Sequence, residues 1–476
     1  MSLRRAAFSA ARWTSVTMVG RAVVSAAQLA IVARFVDPAD LGLMALVGVI
    51  VGFAQILADA GVGNAIIQKQ QLSPGQLGAL ECVNIGVSLC LTSVIVLASP
   101  AIARLYAEPR LEGPLALAGL TLIITALSQQ RRAAAIKNLA FKGLARIELL
   151  SALIGFLVAA ALALRGFGIV ALVAAALASS SAGTVLSWAW LPSPASLRKI
   201  DWTGLRSALD FGAFSVATNV TNSLVSDSDT LLVGRVLGAE SLGFFSVPRD
   251  LSLKVSALVN PIATRVGFPL MSKAQGDLET LRRVYLETLR MTSSVNSPLY
   301  IALAVCAPEV IHVFLGPSWM QSAPTFRILA IWALFRSAAN PAGSLLLAVG
   351  RADRALKWNL GLLLVIPGAV VVGAGYGIEG VATSLLVCQV LLVVPGWAVL
   401  IRPTCHAGAR ECLSMSLIPT ALASLAGLAA WAVITPVTQP WARLTLGVGV
   451  GALVYLLLSL KFNRRWIDSM KEFVQP

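Results

Sequence analysis

Apolar residues run along most of the chain in stretches of about 18 residues or more, the length that crosses the hydrocarbon core of a bilayer. Charged residues, glycines and prolines separate these stretches. The pattern therefore predicts an all-α, polytopic membrane protein with about fourteen transmembrane helices. Their predicted ranges are 13–34, 40–58, 78–98, 113–128, 147–164, 167–189, 211–235, 242–262, 291–307, 323–346, 357–375, 379–400, 412–434 and 441–460.

One short sequence occurs twice, 201 residues apart. Residues 31–42 read "IVARFVDPADLG" and residues 232–243 read "LVGRVLGAESLG". Six predicted spans separate the copies, and an even number means that both copies cross the membrane in the same direction. The sequence therefore predicts a parallel repeat of two six-helix lobes, related by an axis along the membrane normal. The expected organisation is an N-lobe over 1–200 (helices 1–6), a C-lobe over 201–402 (helices 7–12), and 403–476, which holds helices 13 and 14 and a cytoplasmic tail.

The first helix of each predicted lobe carries a polar stripe. Its members are three, four or seven residues apart, so they lie on one face of a helix. A polar face inside a membrane contacts either another helix or a water-filled cavity. We expect a cavity, because an ionisable group costs too much to serve only as a contact between helices. The stripes are Thr14, Arg21, Ser25 and Gln28 in the first lobe, and Ser215, Asn219, Asn222, Ser226 and Asp229 in the second.

Composition agrees with a membrane environment. Hydrophobic residues make up 57% of the chain and charged residues only 12%, against about a quarter charged in soluble proteins. The net charge of +15 is that of a membrane protein whose basic residues collect in cytoplasmic loops, so no nucleic-acid partner is expected. Loops around 129–146 and 269–290 are basic, whereas the opposite side has mainly Arg104, Arg110, Arg165 and Arg443. This asymmetry predicts that both termini are cytoplasmic.

A metal site is not expected. Cys405, His406 and Cys412 share one short loop, but three residues without a recognisable ligand spacing do not make a zinc site. No cofactor is predicted either.

Three segments carry a resemblance to a known family. "ILADAGVGNAIIQKQQLSPGQL" (56–77), "LAFKGLARIELLSALIG" (139–155) and "DTLLVGRVLGAESLGFF" (229–245) resemble, in this order, segments of Wzx-type polysaccharide flippases. The likeness is to the exopolysaccharide branch, with its colanic-acid and succinoglycan translocases, of the multidrug/oligosaccharidyl-lipid/polysaccharide exporter superfamily. The resemblance covers nearly the whole chain. Its segments are individually weak and become specific through their order.

The resemblance implies a fold and a function. The fold is two six-helix bundles arranged in a V, as in drug exporters of the same superfamily, with an added C-terminal helix hairpin. The function is translocation of undecaprenyl-diphosphate-linked oligosaccharide repeat units across the bacterial cytoplasmic (inner) membrane, by alternating access coupled to an ion gradient. A polysaccharide polymerase and a chain-length regulator are implied partners, besides membrane lipid.

For such a cargo, we expect binding residues among the cations within the spans. A diphosphate requires positive charge, and arginine binds phosphate through two hydrogen bonds. The predicted cargo-binding residues are Arg21, Arg249, Arg336 and Lys254, with Gln28 and Asn222. Arg249 ranks above Lys254, because Asp250 lies four residues before Lys254 and neutralises it, whereas Arg249 has no such obvious local partner.

Carboxylates within the spans are candidates for ion coupling, since such groups mark proton or sodium pathways. Asp229 lies on the polar stripe, and Asp227 and Asp250 are the other candidates. A structural role remains open for them, for example a salt bridge between Asp229 and Arg235.

Other functions compete with this one. A drug/cation antiporter of the same superfamily would need an acidic or apolar cavity, whereas the predicted cavity is cationic. A peptidoglycan-precursor flippase has a similar cationic cavity, but the three segments fit the exopolysaccharide branch better. A membrane polysaccharide polymerase or ligase, which is an enzyme, would carry a large outer loop with catalytic residues. Here the longest outer loop is a short run around 99–112, which favours a transporter.

Overall fold

The computed structural model describes residues 3–59, 62, 63, 66, 73–193, 200–202, 205–464, 466 and 467. In this part of the chain all regular structure is helical, which confirms the predicted fold class. The tail residues 468–476 and the side chain of Ser215 lie outside the described residues. The helices are α1 Leu3–Phe35, α2 Pro38–Asp59, α3 Pro74–Leu105, α4 Glu112–Lys137, α5 Phe141–Ala163, α6 Ile169–Trp190, α7 Leu205–Lys273, α8 Leu278–Val305, α9 Ala307–Phe314, α10 Ala323–Ala338, α11 Asn340–Ala348, α12 Ala352–Ala374, α13 Gly377–Leu391, α14 Val393–Gly396, α15 Arg402–Cys405, α16 Ala409–Ile434 and α17 Pro440–Phe462.

Each of the fourteen predicted spans falls on helix. Among the described residues, eleven helices are long and apolar enough to cross a membrane, or twelve if the pair α8 and α9, bent by 78°, forms one span. The number is below fourteen partly because the predicted helices 211–235 and 242–262 fall in one helical segment, Val216–Pro261, of 46 residues. A helix of this length measures roughly 70 Å, more than twice the 30 Å of a hydrocarbon core. The chain is a multi-pass membrane protein.

Gly238 divides α7 into two arms, 205–237 and 239–273. Its φ of 85° and ψ of 174° are not helical, and only glycine adopts this region without strain. The two arms correspond to the predicted helices 211–235 and 242–262. The break lies inside the second copy of the repeated sequence.

The chain forms two compact units, Met1–Gly243 and Phe244–Pro476. The predicted C-lobe begins at residue 201 and therefore includes the first arm of α7. The structure instead places this arm in the first compact unit. The lobe boundaries derived from the repeat stay a prediction.

Two repeat-related glycines make reciprocal contacts within the first unit. A Cβ on Gly42 would overlap the carbonyl oxygen of Ala239, and a Cβ on Gly243 would overlap the carbonyl oxygen of Pro38. Ala239 and Gly243 are the partners of Pro38 and Gly42 at the 201-residue offset. Here two residues contact each other, and the two residues related to them by the repeat also contact each other. A twofold axis produces this arrangement. This contact supports a pseudo-twofold repeat.

In the second unit, polar side chains attach the C-terminal hairpin α16–α17 to α8. Four residues of α8 are involved, on successive turns. In the bilayer such hydrogen bonds hold helices together where apolar side chains give no preference over lipid. The contacts are Ser293–Ser416 at 3.3 Å, Ser297–Thr420 at 3.0 Å, the Tyr455 hydroxyl to the Ser294 carbonyl at 2.7 Å, and Arg290 Nε to Asn463 Oδ1 at 2.9 Å.

Candidate functional site

α1 exposes two different faces. Val19 and Val23 are 58% and 63% exposed and form an apolar face. The Arg21 side chain is 59% exposed, and Ser25 is exposed beside it. Val19 and Arg21 are two residues apart, about 200° around the helix axis, so the polar face is nearly opposite the apolar one. An exposed apolar face suits lipid, whereas an exposed face with a guanidinium requires water or polar groups.

The first arm of α7 carries the matching polar stripe, and its exposure decreases along the helix. Asn219 and Asn222 are exposed, Ser226 is half-buried, and Asp229 is only 2% exposed. On α1, Gln28 is half-buried and Val32, one turn further on, is buried. Both stripes are therefore exposed around Arg21 and Asn222 and become buried toward the repeated sequence.

Arg21 forms an ion pair with Glu148 of α5. The Arg21 Nη1 to Glu148 Oε2 distance is 3.2 Å, and the Glu148 side chain is 32% exposed. Arg132 of α4 lies close enough to interact electrostatically with both. Two guanidiniums and one carboxylate share this region of the first unit, so it has a net charge of one positive.

Small residues of α6 hold Arg132 in position. Its Nε donates to Ser187 Oγ at 3.1 Å, and its Nη2 occupies the space that a Cβ on Gly183 would fill. A guanidinium fixed through Nε keeps other N–H groups for a second acceptor. The Arg21–Glu148–Arg132 cluster is the candidate site for an anionic group in the first unit.

The predicted ion-coupling carboxylates of α7 have local hydrogen bonds. Asp227 is half-buried, and its Oδ2 accepts from Ser223 Oγ at 3.0 Å, one turn earlier. The buried Asp229 accepts from the Thr230 backbone N–H at 2.7 Å. Asp229 is thus the less exposed of the two, on the stripe that also carries Asn222.

The remaining predicted cations lie in the second unit, and the expectation that Arg249 has no local partner is wrong. Arg249 has no acid at i,i+4, but its Nη1 lies 3.3 Å from Oδ1 of the adjacent Asp250, and its side chain is only 5% exposed. Lys254 is half-buried and also interacts with Asp250. Arg336 is half-buried and stacks on Trp332, with 5.4 Å between Cζ and the ring centroid.

Sequence reasoning missed Glu148 and Arg132 as members of the site. Arg132 lies in the stretch 129–146, which the sequence predicts to be a basic cytoplasmic loop, and Glu148 is the second residue of the predicted helix 147–164. The structure shows instead that α4 continues to Lys137 and that α5 begins at Phe141. A sequence signal was present, because Glu148 is the only acid in the segment 139–155 that carries part of the family resemblance.

Comparison with known proteins identifies the family. Residues 31–324, more than half of the chain, match the family described as polysaccharide biosynthesis protein. The chain belongs to this family.

The relatives of this family member cover almost its full length. It is 29% identical over 469 residues to the teichuronic acid biosynthesis protein TuaB of Bacillus subtilis, covering 97% of this chain and 96% of TuaB. It is 29% identical over 427 residues to the lipopolysaccharide biosynthesis protein WzxC of Escherichia coli, covering 88% and 86%. These likenesses confirm the resemblance inferred from the three segments.

A solved structure shows the same fold. The lipid II flippase MurJ in an inward closed conformation superposes with a TM-score of 0.73 at 14% identity, covering 96% of this chain and 99% of MurJ. This chain therefore has the fold of MurJ.

Proposed function

We propose that this protein is a flippase that moves a saccharide, linked through a diphosphate to undecaprenol, from the cytoplasmic to the periplasmic leaflet of the bacterial inner membrane. Membership of a polysaccharide biosynthesis family supports a saccharide cargo. TuaB and WzxC, which it resembles over most of its length, are named for biosynthesis of teichuronic acid and of lipopolysaccharide. The proposal makes the protein a transporter rather than a polymerase or ligase.

The observation that carries the proposal is the polar face of α1 with its cationic cluster. A lipid-linked saccharide is amphipathic, so its headgroup needs a polar surface inside the membrane while its lipid stays in the bilayer. Arg21 is exposed on a face nearly opposite the apolar Val19. Together with Arg132 it outnumbers the single acid, Glu148, and a net positive charge attracts a diphosphate.

The other predicted residues enter this proposal in defined roles. Gln28 and Asn222 lie on the two repeat-related stripes and offer hydrogen bonds to the headgroup. Arg249, Lys254 and Arg336 are half-buried or buried in the second unit, so they act in a conformation that exposes them. Asp229, Asp227 or Asp250 couples transport to an ion gradient. Both termini lie in the cytoplasm, as the distribution of basic residues predicts.

A binding measurement tests the cargo class. The purified, full-length protein in lipid nanodiscs is expected to bind undecaprenyl diphosphate that carries a short oligosaccharide. The affinity should fall as the salt concentration rises, because salt screens the exposed Arg21. A lipophilic cationic dye should not compete, since the cluster is net positive. Binding of the dye in competition with the lipid-linked saccharide would contradict the proposal and favour a drug/cation antiporter.

A further inference from the structure

A second acidic residue of the first unit lies inside a polar network. Asp59 is half-buried in the last turn of α2, a helix that packs against α3, α4 and α6. Its Oδ1 accepts hydrogen bonds from the backbone N–H of Gly63 at 3.2 Å and from Nε2 of Gln129 on α4. The carboxylate thus links α2 to α4.

The network extends from this carboxylate to a third helix. Gln129 Oε1 accepts from Asn84 Nδ2 of α3 at 3.3 Å. One turn before Asp59, Gln55 Oε1 accepts from the Thr125 hydroxyl at 3.1 Å. Within the described part of the chain, all partners in this network are neutral amides, hydroxyls or backbone groups, and they do not neutralise the carboxylate.

Three charged side chains of the neighbouring helices, Glu81, Arg131 and Arg132, have interactions of their own. On α3, Glu81 interacts with Arg131 of α4, and Arg131 also donates to the Leu191 carbonyl at 2.9 Å. Arg132 belongs to the cluster with Arg21 and Glu148, and α6 contains no charged residue. Within the described residues, no basic side chain forms an ion pair with Asp59. An ionisable group inside a membrane span is energetically costly, and its presence there indicates a function.

Asn84 supplies an independent sign of a ligand. Asn84 is 0% exposed, and its Oδ1 has no hydrogen-bond partner among the described residues. Its Nδ2 points to Gln129, which donates to Asp59. A buried acceptor without a donor costs about 1–3 kcal/mol. The unsatisfied oxygen belongs to an amide that is itself hydrogen-bonded into the network of Asp59.

The chemistry of the network selects a proton over a metal cation. Two N–H donors occupy Oδ1, and their partial positive charge opposes a metal ion at that oxygen. No hydrogen bond from a described residue reaches Oδ2, which leaves this atom for protonation. We propose that Asp59 binds and releases a proton at Oδ2 and thereby forms a proton site in the first unit.

The proton changes the link between α2 and α4. A hydronium ion gives its proton to Oδ2, an O–H bond forms, water is released, and the carboxylate loses its charge. The hydrogen bonds from Gln129 and Gly63 then lose the strength that an ionised acceptor provides. Protonation therefore weakens the attachment of α2 to α4. This site adds a proton step to the ion coupling proposed for the carboxylates of α7, and it rests on the proposed function only for that role.

Infrared difference spectroscopy of the reconstituted protein tests this site. Spectra recorded at neutral and acidic pH, with potassium as the only metal cation, should show the carbonyl stretch of a protonated carboxylic acid. Asp59→Asn should remove one band, because the amide keeps the shape of the side chain but does not titrate. Glu81→Gln, a matched change of an acid that interacts with an arginine, should retain this band. An unchanged set of bands in Asp59→Asn overturns the proposal.

Two further measurements keep the result decisive. If Asp59→Asn does not fold, Gln129→Leu removes one donor to the carboxylate, and the pH midpoint of the band should rise by about one unit or more; no rise overturns the proposal. Replacing potassium with sodium at neutral pH should leave the spectrum unchanged, and a sodium-dependent carboxylate change that Asp59→Asn removes overturns the choice of a proton. Cargo binding is measured separately, so failure of the proposed function remains distinguishable.

Discussion

Alanine at Gly42 or Gly243 is expected to destabilise the protein strongly. In each case the new Cβ overlaps a backbone carbonyl oxygen, that of Ala239 for Gly42 and that of Pro38 for Gly243. A backbone atom cannot move aside as the end of a long side chain can, so the helices must separate. Overpacking of this kind costs about 1–3 kcal/mol and occasionally more. We expect each substitution to reach the upper end, and the two losses to be similar because the contacts are reciprocal.

Thermal unfolding of the purified protein in detergent measures both effects. Gly48→Ala is the matched control, since Gly48 lies on the same helix as Gly42 and a Cβ there meets nothing within 4 Å. Alanine favours a helix over glycine by up to about 1 kcal/mol, so this control should be neutral or stabilising. Wild-type stability of Gly42→Ala, or a large loss at only one of the two glycines, would speak against the reciprocal contact.

Arg21→Gln is expected to weaken binding of the lipid-linked saccharide, whereas Glu148→Gln is not. Arg21→Gln lowers the net charge of the cluster from one positive to zero, and Glu148→Gln raises it to two positive. A diphosphate gains from positive charge, and hydrogen bonds to a charged acceptor are about twice as strong as neutral ones. We expect at least a tenfold loss of lipid-linked saccharide binding in Arg21→Gln, and equal or tighter binding in Glu148→Gln.

The double variant separates cargo binding from a structural ion pair. If the pair only holds α1 against α5, either single change leaves an unmatched charge, and Arg21→Gln with Glu148→Gln together should recover function. If Arg21 binds the cargo, the double variant restores the net charge of one positive but not the hydrogen bonds of Arg21, so it stays well below the wild type. Arg21→Lys should retain partial function, because lysine keeps the charge but loses the planar fork. Polymer export in cells lacking the native gene, at matched membrane levels, is the readout.

The helices could be predicted from the sequence because each apolar run is long enough to span a bilayer. Their ends were less predictable, since α3 and α4 continue beyond the apolar part to Leu105 and Lys137. The repeat at a fixed offset located the two glycines. It could not show that they make a reciprocal backbone contact, because that depends on how the start of α2 packs against residues 239–243.

The site was less predictable, because charge partners depend on tertiary packing. Arg21 and Glu148 are 127 residues apart, and no spacing rule connects them. At Arg249 the sequence wrongly suggested that no local partner was present. A rule for i,i+4 pairs overlooks the adjacent Asp250, although long side chains on a helix reach a neighbour in sequence. Asp59 was included in a family segment, but its network with Gln129 and Asn84 is evident only from the packing of α2, α3 and α4.

The most direct test of the central claim is translocation itself. The full-length protein is reconstituted into sealed vesicles with undecaprenyl diphosphate carrying a labelled oligosaccharide in the inner leaflet, and an impermeant glycosidase is added outside. With an imposed ion gradient, we predict that the protein makes this saccharide accessible to the enzyme and that Asp229→Asn does so much more slowly, while protein-free vesicles do not. Saccharide that stays protected in vesicles whose protein exports a cationic dye would contradict the account.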